Sequence, residues 1–112
     1  MIITLILGDG IGPEVALAAK EVFDAVDTTI TWDIQEAGGD LIEQHGTPLP
    51  PAVIRSVRTN HVAIKGPITT PVGEGFRSAN VELRKALDLY ANVRPAKTYP
   101  GIPSRYKDID LI

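Results

Sequence analysis

Residues 1–14 read MIITLILGDGIGPE, and the fold class follows from how this stretch changes character at residue 8. The first seven residues are apolar and rich in β-branched side chains, which are stiff at χ1 and suit an extended backbone. They do not alternate with polar residues, so the pattern is that of a strand covered on both faces, as parallel strands are. The turn Gly8-Asp9-Gly10-Ile11-Gly12 follows, and Pro13 with Glu14 marks the first turn of a helix. Proline suits that position because its missing N–H would have no partner there, and the acid favours the positive end of the helix dipole. A strand running through a glycine turn into a helix predicts an α/β fold.

Working outward, Val15, Ala19, Val22 and Val26 recur at helical spacing and predict a helix of about four turns. Residues 29–35 (TITWDIQ) alternate and predict a second strand, making a parallel strand–helix–strand unit. Gly38 and Gly39 break the pattern, residues 40–44 suit a short helix, and residues 47–51 (TPLPP) form a stiff connector. Helical character resumes over residues 52–57, and residues 61–64 (HVAI) predict a third short buried strand opened by His61. Residues 65–75 (KGPITTPVGEG) have no periodicity and much turn chemistry. A further helix is expected from about residue 79 to 87, with an apolar row Ala79, Leu83, Leu87 beside the row Asn80, Arg84, Asp88. Residues 89–93 predict a fourth strand ended by Pro95, residues 98–103 a Pro/Gly loop, and residues 109–112 are an apolar run.

With 112 residues the chain can build one domain with a real core but not two. Hydrophobic residues at 44% and charged residues at 22% place it among ordinary soluble globular proteins. A net charge of -3 and a pI near 5.2 give no electrostatic reason to expect nucleic acid or an anionic membrane as partner. The lack of cysteine excludes disulfides, thiolate metal sites and cysteine nucleophiles. The apolar stretch of residues 2–7 is too short to span a bilayer and has no basic flank or cleavage site, so a cytoplasmic protein is expected.

Two regions carry possible chemistry. The first glycine cluster stands between a strand and a helix, where backbone N–H groups can hold phosphate. Its spacing is G-x-G-x-G, not the dinucleotide G-x-G-x-x-G, so a tight turn needing positive φ is favoured over cofactor contact. Residues 65–94 supply hydroxyls (Thr69, Thr70, Ser78), an amide (Asn80) and cations (Lys65, Arg77, Arg84, Arg94), a mixture suited to a small polyanion such as a di- or tricarboxylate. An arginine fork can grip a carboxylate through two parallel hydrogen bonds. Asn80 and Arg84, four apart, share one helix face. Blander roles stand beside these: Ser78 as a helix cap, Arg84 paired with Asp88 on a solvated face, Arg94 as ordinary surface. His45 and His61 have no second ligand at metal spacing and read as structural, with no metal site.

Three segments, in order, resemble the isocitrate and isopropylmalate dehydrogenases. Residues 7–14 (LGDGIGPE) look like that family's opening loop. Residues 64–71 (IKGPITTP) and 75–84 (GFRSANVELR) are similar to the substrate segment of its isocitrate branch, and residues 87–95 (LDLYANVRP) to a strand common to the superfamily. The resemblance implies an α/β isocitrate/isopropylmalate dehydrogenase-like fold distinct from Rossmann. Residues 1–112 would be the N-terminal part of the first domain, ending near the crossover to the second. It implies oxidation of isocitrate and decarboxylation to 2-oxoglutarate, with NAD (NADP possible) and Mg²⁺ or Mn²⁺. Ser78, Asn80, Arg84 and Arg94 match positions that hold isocitrate, and Lys65 a lysine beside it. Thr69, Thr70 and Ile11 match cofactor positions. The Ser78-x-Asn80 pattern favours isocitrate over isopropylmalate or homoisocitrate, and Glu74 with Phe76 favours NAD. The catalytic acid and base and all metal ligands of the family belong to later sequence, so no catalytic residue and no metal ligand is assigned here. The resemblance also implies an active site shared across a homodimer. The rival reading is a short tricarboxylate-binding module, or a partner to a longer subunit, without catalysis.

Overall fold

The computed structural model describes residues 1–69 and 78–112. Strand β1 (Ile2–Ile6) forms where the β-branched run predicts it, with Leu5 and Ile6 fully buried. It is the middle of a three-stranded parallel sheet of order β2-β1-β3, with β2 at Thr31–Gln35 and β3 at Ala63–Lys65. Ile2 lies opposite Thr31 and Ile6 opposite both Gln35 and Lys65. Helix α1 (Gly12–Val26) crosses from β1 to β2, with Pro13 in its first turn as expected. Helices α2 (Ile42–His45), entered through a 3₁₀ turn at Gly39–Leu41, and α3 (Pro51–Asn60) connect β2 to β3. Helix α4 (Ala79–Ala86) follows, and β4 (Ala96–Lys97) pairs antiparallel with β5 (Asp110–Leu111) in a separate ribbon. The α/β class holds. Among the described residues no helix is long and apolar enough to cross a membrane.

Successive strand side chains point to opposite faces, and each face has its own cover. Trp32 projects toward α1, where its Nε1 donates to Asp24 Oδ1 at 2.7 Å and its ring meets Phe23 edge-on. On the other face Ile6 joins Ala37, Leu49, Val53, Ile68, Ala79 and Leu83 in the apolar core, under α3 and α4. Beside that core lies a polar knot. Ser56 Oγ is 2.7 Å from Thr4 Oγ1 and donates to Asp33 Oδ2 at 2.5 Å. Asn60 Nδ2 donates to Thr4 Oγ1 and to Asp33 Oδ2 at 2.9 and 3.0 Å. Buried polar groups are tolerated when paired in this way, and the knot ties α3 to β1 and β2 in one register.

Several expectations need correcting. The valine row of α1 is mostly outside: Val15, Val22 and Val26 are exposed, and the buried positions are Gly12 and Ala16, the small residues that let the helix lie close. The second strand starts at Thr31, because Thr29 donates its N–H and hydroxyl to Asp27 Oδ1 and closes a turn first. His61 does not open a buried strand. It is the left-handed, exposed cap of α3 (φ 63°), and β3 begins two residues later with no fully buried member. Residues 89–95 are not a strand, and none of the described strands pairs with them. A strand exists only through its neighbour, so apolar sequence is not sufficient.

Candidate functional site

Helices α1 and α4, which follow β1 and β3 in the chain, lie on opposite faces of the sheet. In parallel α/β sheets such a divergence at the carboxyl ends of adjacent strands is where ligands bind. Here the two strand-end loops press together. Gly8 adopts φ 78°, and a Cβ on it would stand 1.8 Å from the Pro67 carbonyl oxygen. The glycine turn is therefore a close-packing device with positive φ, as the tight-turn reading expects.

Asp9, which sequence reasoning passed over, is the centre of this region. Its carboxylate is buried (9% exposed), and its partners come from the other two strand ends. Gly39 N–H donates to Oδ2 at 2.6 Å and Thr69 N–H to Oδ1 at 2.7 Å, while Asp9 N–H donates to the Pro67 carbonyl at 3.1 Å. Burial pushes the carboxyl up, but the Gly39 amide and then the Thr69 amide and hydroxyl outweigh it and hold it below its ordinary value. No local signal marks such a residue, because its partners lie 30 and 60 positions away.

Lys65, Asn80 and Arg84 converge. Lys65 shares its sheet face with Ile6, opposite which it pairs, and that face looks toward α4. Asn80 and Arg84, one helical turn apart, meet it across a cleft of about 320 Å³ floored by Ile6, Leu83 and Leu87. None of the described residues lining this cleft is acidic. Desolvation first, and the nearby Arg84 guanidinium second, hold the Lys65 ammonium below the ordinary lysine value, against an upward pull from Asp9. Lys65 Nζ meanwhile donates to the Gly66 carbonyl at 2.6 Å. Asn80 Oδ1 is buried with no partner among the described residues, an arrangement that invites a donor. Arg58 holds α4 in place by donating to the Ala86 carbonyl at 2.6 Å, at the end where a cation suits the helix dipole.

Two of the three bland readings in this segment are not what the structure shows, while Arg94 does lie on the surface. Ser78 is the N-cap residue by position, but its side chain makes no capping bond, and its carbonyl takes the Val81 and Glu82 amides. Arg84 forms no ion pair with Asp88, which lies beyond the helix at φ 52°. Thr69 is exposed beside the cleft loop with its amide on Asp9. Ile11 is exposed at the start of α1. Arg94 is exposed in residues 89–95 and does not line the cleft. Thr70, Arg77, Glu74 and Phe76 lie outside the described residues. A larger hollow of about 420 Å³ sits inside the loop between β4 and β5, walled by one continuous segment from Thr98 to Asp108. It gathers no side chains from separate elements, so the smaller cleft is the better candidate.

The family model for isocitrate/isopropylmalate dehydrogenase matches residues 2–112. The chain belongs to that family. Among curated family members it is 50% identical to isocitrate dehydrogenase [NAD] catalytic subunit 6, mitochondrial, of Arabidopsis thaliana, over 97% of this chain and 29% of that protein. It is 48% identical to isocitrate dehydrogenase [NADP] of Haloferax volcanii, over 96% of this chain and 26% of the relative. The crystal structure of isocitrate dehydrogenase from Methylococcus capsulatus superposes with a TM-score of 0.87 at 52% identity, covering 98% of this chain and 32% of that one. The chain thus spans under a third of the length of these dehydrogenases. The isocitrate/isopropylmalate dehydrogenase-like fold expected from the opening loop is the one that is found.

Proposed function

We propose that this chain supplies the substrate-carboxylate side of an NAD-dependent isocitrate dehydrogenase. The supporting observation is the convergence of Lys65, Asn80 and Arg84 on one cleft without an acid among its described lining residues. Two cations held near each other repel, and a polycarboxylate between them relieves that repulsion. In this reading Arg84 grips a carboxylate through its fork, Lys65 adds a second charge, and Asn80 Oδ1 accepts from a substrate hydroxyl. Ser78 at the head of α4 offers its hydroxyl, and Arg94, which lies outside the cleft in this structure, is the further family-matched cation.

By their match to the family, Thr69, Thr70 and Ile11 are the cofactor contacts in the same reading. Bound NAD would accept the hydride from the hydroxyl-bearing carbon, and loss of the β-carboxylate as CO₂ would then give 2-oxoglutarate. NAD is favoured over NADP by the NAD-type relatives, although the Haloferax relative is named for NADP. Among the described residues no group of three His, Cys, Asp or Glu could hold a metal. The residues present therefore do not fit Mg²⁺ or Mn²⁺, and no step here is routed through a metal. On this proposal residues 1–112 are the N-terminal part of a first domain, near the crossover to a second, in a cytoplasmic homodimer joined through other sequence.

The test is calorimetric titration of the purified chain with isocitrate. Saturable binding that weakens at least 30-fold in Arg84→Ala is expected, because removing one partner of a charged pair that ligand binding desolvates costs about 2 kcal/mol or more. Equal affinity in wild type and variant would sink the proposal. Steady NADH production by this chain alone, with isocitrate and Mg²⁺, would overturn the assignment of acid, base and metal ligands to other sequence. Tight binding in a native product of this same short length would favour the non-catalytic tricarboxylate-binding module.

A further inference from the structure

We infer that Asp9 is a positioning residue that sets the cofactor-facing loop by clamping the ends of all three parallel strands together. The inference rests on the proposal above only in taking Thr69 as a cofactor contact. Aspartates in turns usually bond an amide two residues on, as Asp27 does with Thr29. Asp9 does not. It leaves the end of β1 and takes one amide from the loop after β2 and one from the loop after β3, a carboxylate oxygen for each, at 2.6 and 2.7 Å. Its own N–H closes the arrangement on the Pro67 carbonyl. Three short parallel strands do little to fix the loops at their ends. One buried anion bridging those loops does so, and charge-assisted bonds of this length are strong and directional.

The chemistry of the group makes the role testable. A carboxylate accepts from both amides at once. An asparagine accepts from one and turns an NH₂ toward the other, so one loop must let go. If the Thr69 loop is set this way, its misplacement is felt at the cofactor and not at the Arg84 end of the cleft, which is carried by α4 and anchored by Arg58.

The experiment uses the longest native product that carries these residues, with Asp9→Asn and Asp9→Glu. Amide exchange at Gly39 and Thr69 and the separate KM values for NAD and isocitrate are measured. Faster exchange at one or both amides is expected, with KM for NAD raised about tenfold, the equivalent of one such hydrogen bond, and KM for isocitrate changed less than twofold. Asp9→Glu keeps the charge but alters the reach and should show the same selective loss. Wild-type behaviour in Asp9→Glu would mean that charge alone matters, and the inference falls. It falls equally if both amides stay protected in Asp9→Asn, or if the two KM values rise together. Thr69→Ala serves as the separate check on the cofactor contact. An unchanged KM for NAD there overturns the cofactor role of the clamp, while the exchange rates still report whether Asp9 holds the loop.

Discussion

Gly8→Ala is the substitution whose cost can be worked most fully from the structure. Two separate penalties apply at this position. The first is conformational: φ is 78°, and a residue with a Cβ in the left-handed region costs about 1–2 kcal/mol. The second is spatial: the new methyl would stand 1.8 Å from the Pro67 carbonyl oxygen, well inside van der Waals contact and against backbone, not a flexible tip. The loops after β1 and β3 must then move apart, at an overpacking cost of about 1–3 kcal/mol. That movement also breaks the 3.1 Å bond from Asp9 N–H to the Pro67 carbonyl, a loss of about 1 kcal/mol. The sum is about 3–6 kcal/mol, a large share of the stability of a small domain. Gly10→Ala is the internal control. It has a similar backbone, with φ 57°, but a Cβ there meets nothing within 4 Å, so only the first penalty of about 1–2 kcal/mol applies. Urea denaturation of both variants, followed by far-UV circular dichroism, measures the difference, which should be about 2 kcal/mol or more from overpacking and the lost hydrogen bond together. Equal losses in the two variants would refute the claim that the β1 and β3 loops are in rigid close contact.

Leu83→Ala should cost about 2–5 kcal/mol by urea denaturation, because Leu83 is 8% exposed within the α3–α4 core and its removal leaves a cavity. Val81→Ala, on the exposed side of the same helix, should change stability by less than about 1 kcal/mol. Asp33 gives a pH prediction. Hydrogen bonds from Ser56 and then Gln35 hold its carboxyl below the ordinary 3.8, so its contribution is fully present above about pH 4 and is lost as pH falls through the lower folded value. Thermal melts from pH 7 to pH 2.5 should show Asp33→Asn less stable at neutral pH and less sensitive to acid than wild type. Parallel curves for the two proteins would remove Asp33 from the account.

What could be read from the sequence divides along local and non-local lines. β1, the glycine turn and α1 were legible because each is announced within a few residues: a β-branched run, positive-φ glycines, Pro13 in the first turn. The meeting of Asn80 and Arg84 was legible from their separation of four, which any helix converts into a shared face. Asp9 was not, since neighbouring sequence says nothing about the distant amides of Gly39 and Thr69. Residues 89–93 failed for a related reason. Their composition suits a strand, but pairing is supplied by another segment, and no described strand supplies it. The exposed valines of α1 show the same limit on a helix: spacing identifies an apolar row, and only the neighbouring strands decide whether that row or Gly12 and Ala16 turn inward. The resemblance to family sequence set Lys65 and Arg84 at one expected substrate site, where residue types alone suggested only a mixture suited to a polyanion.

Placing β1 in the middle of the sheet has a consequence for the order of events during synthesis. Strand β1 must wait for both neighbours: Ile2 pairs with Thr31, and Thr4 with Ala63, which is made later still. At about 5–20 residues per second, the second of these arrives roughly 3–12 s after Thr4 is joined. Through that interval Ile3, Leu5 and Ile6, the most water-averse stretch of the chain, have no complete sheet to enter. Pairing strands so far apart in sequence is slow beside helix formation, so α1 can form long before the sheet that orients it. A nascent chain stalled before residue 65 would therefore present a sticky, unpaired β1 beside a finished helix, a form suited to capture by a chaperone.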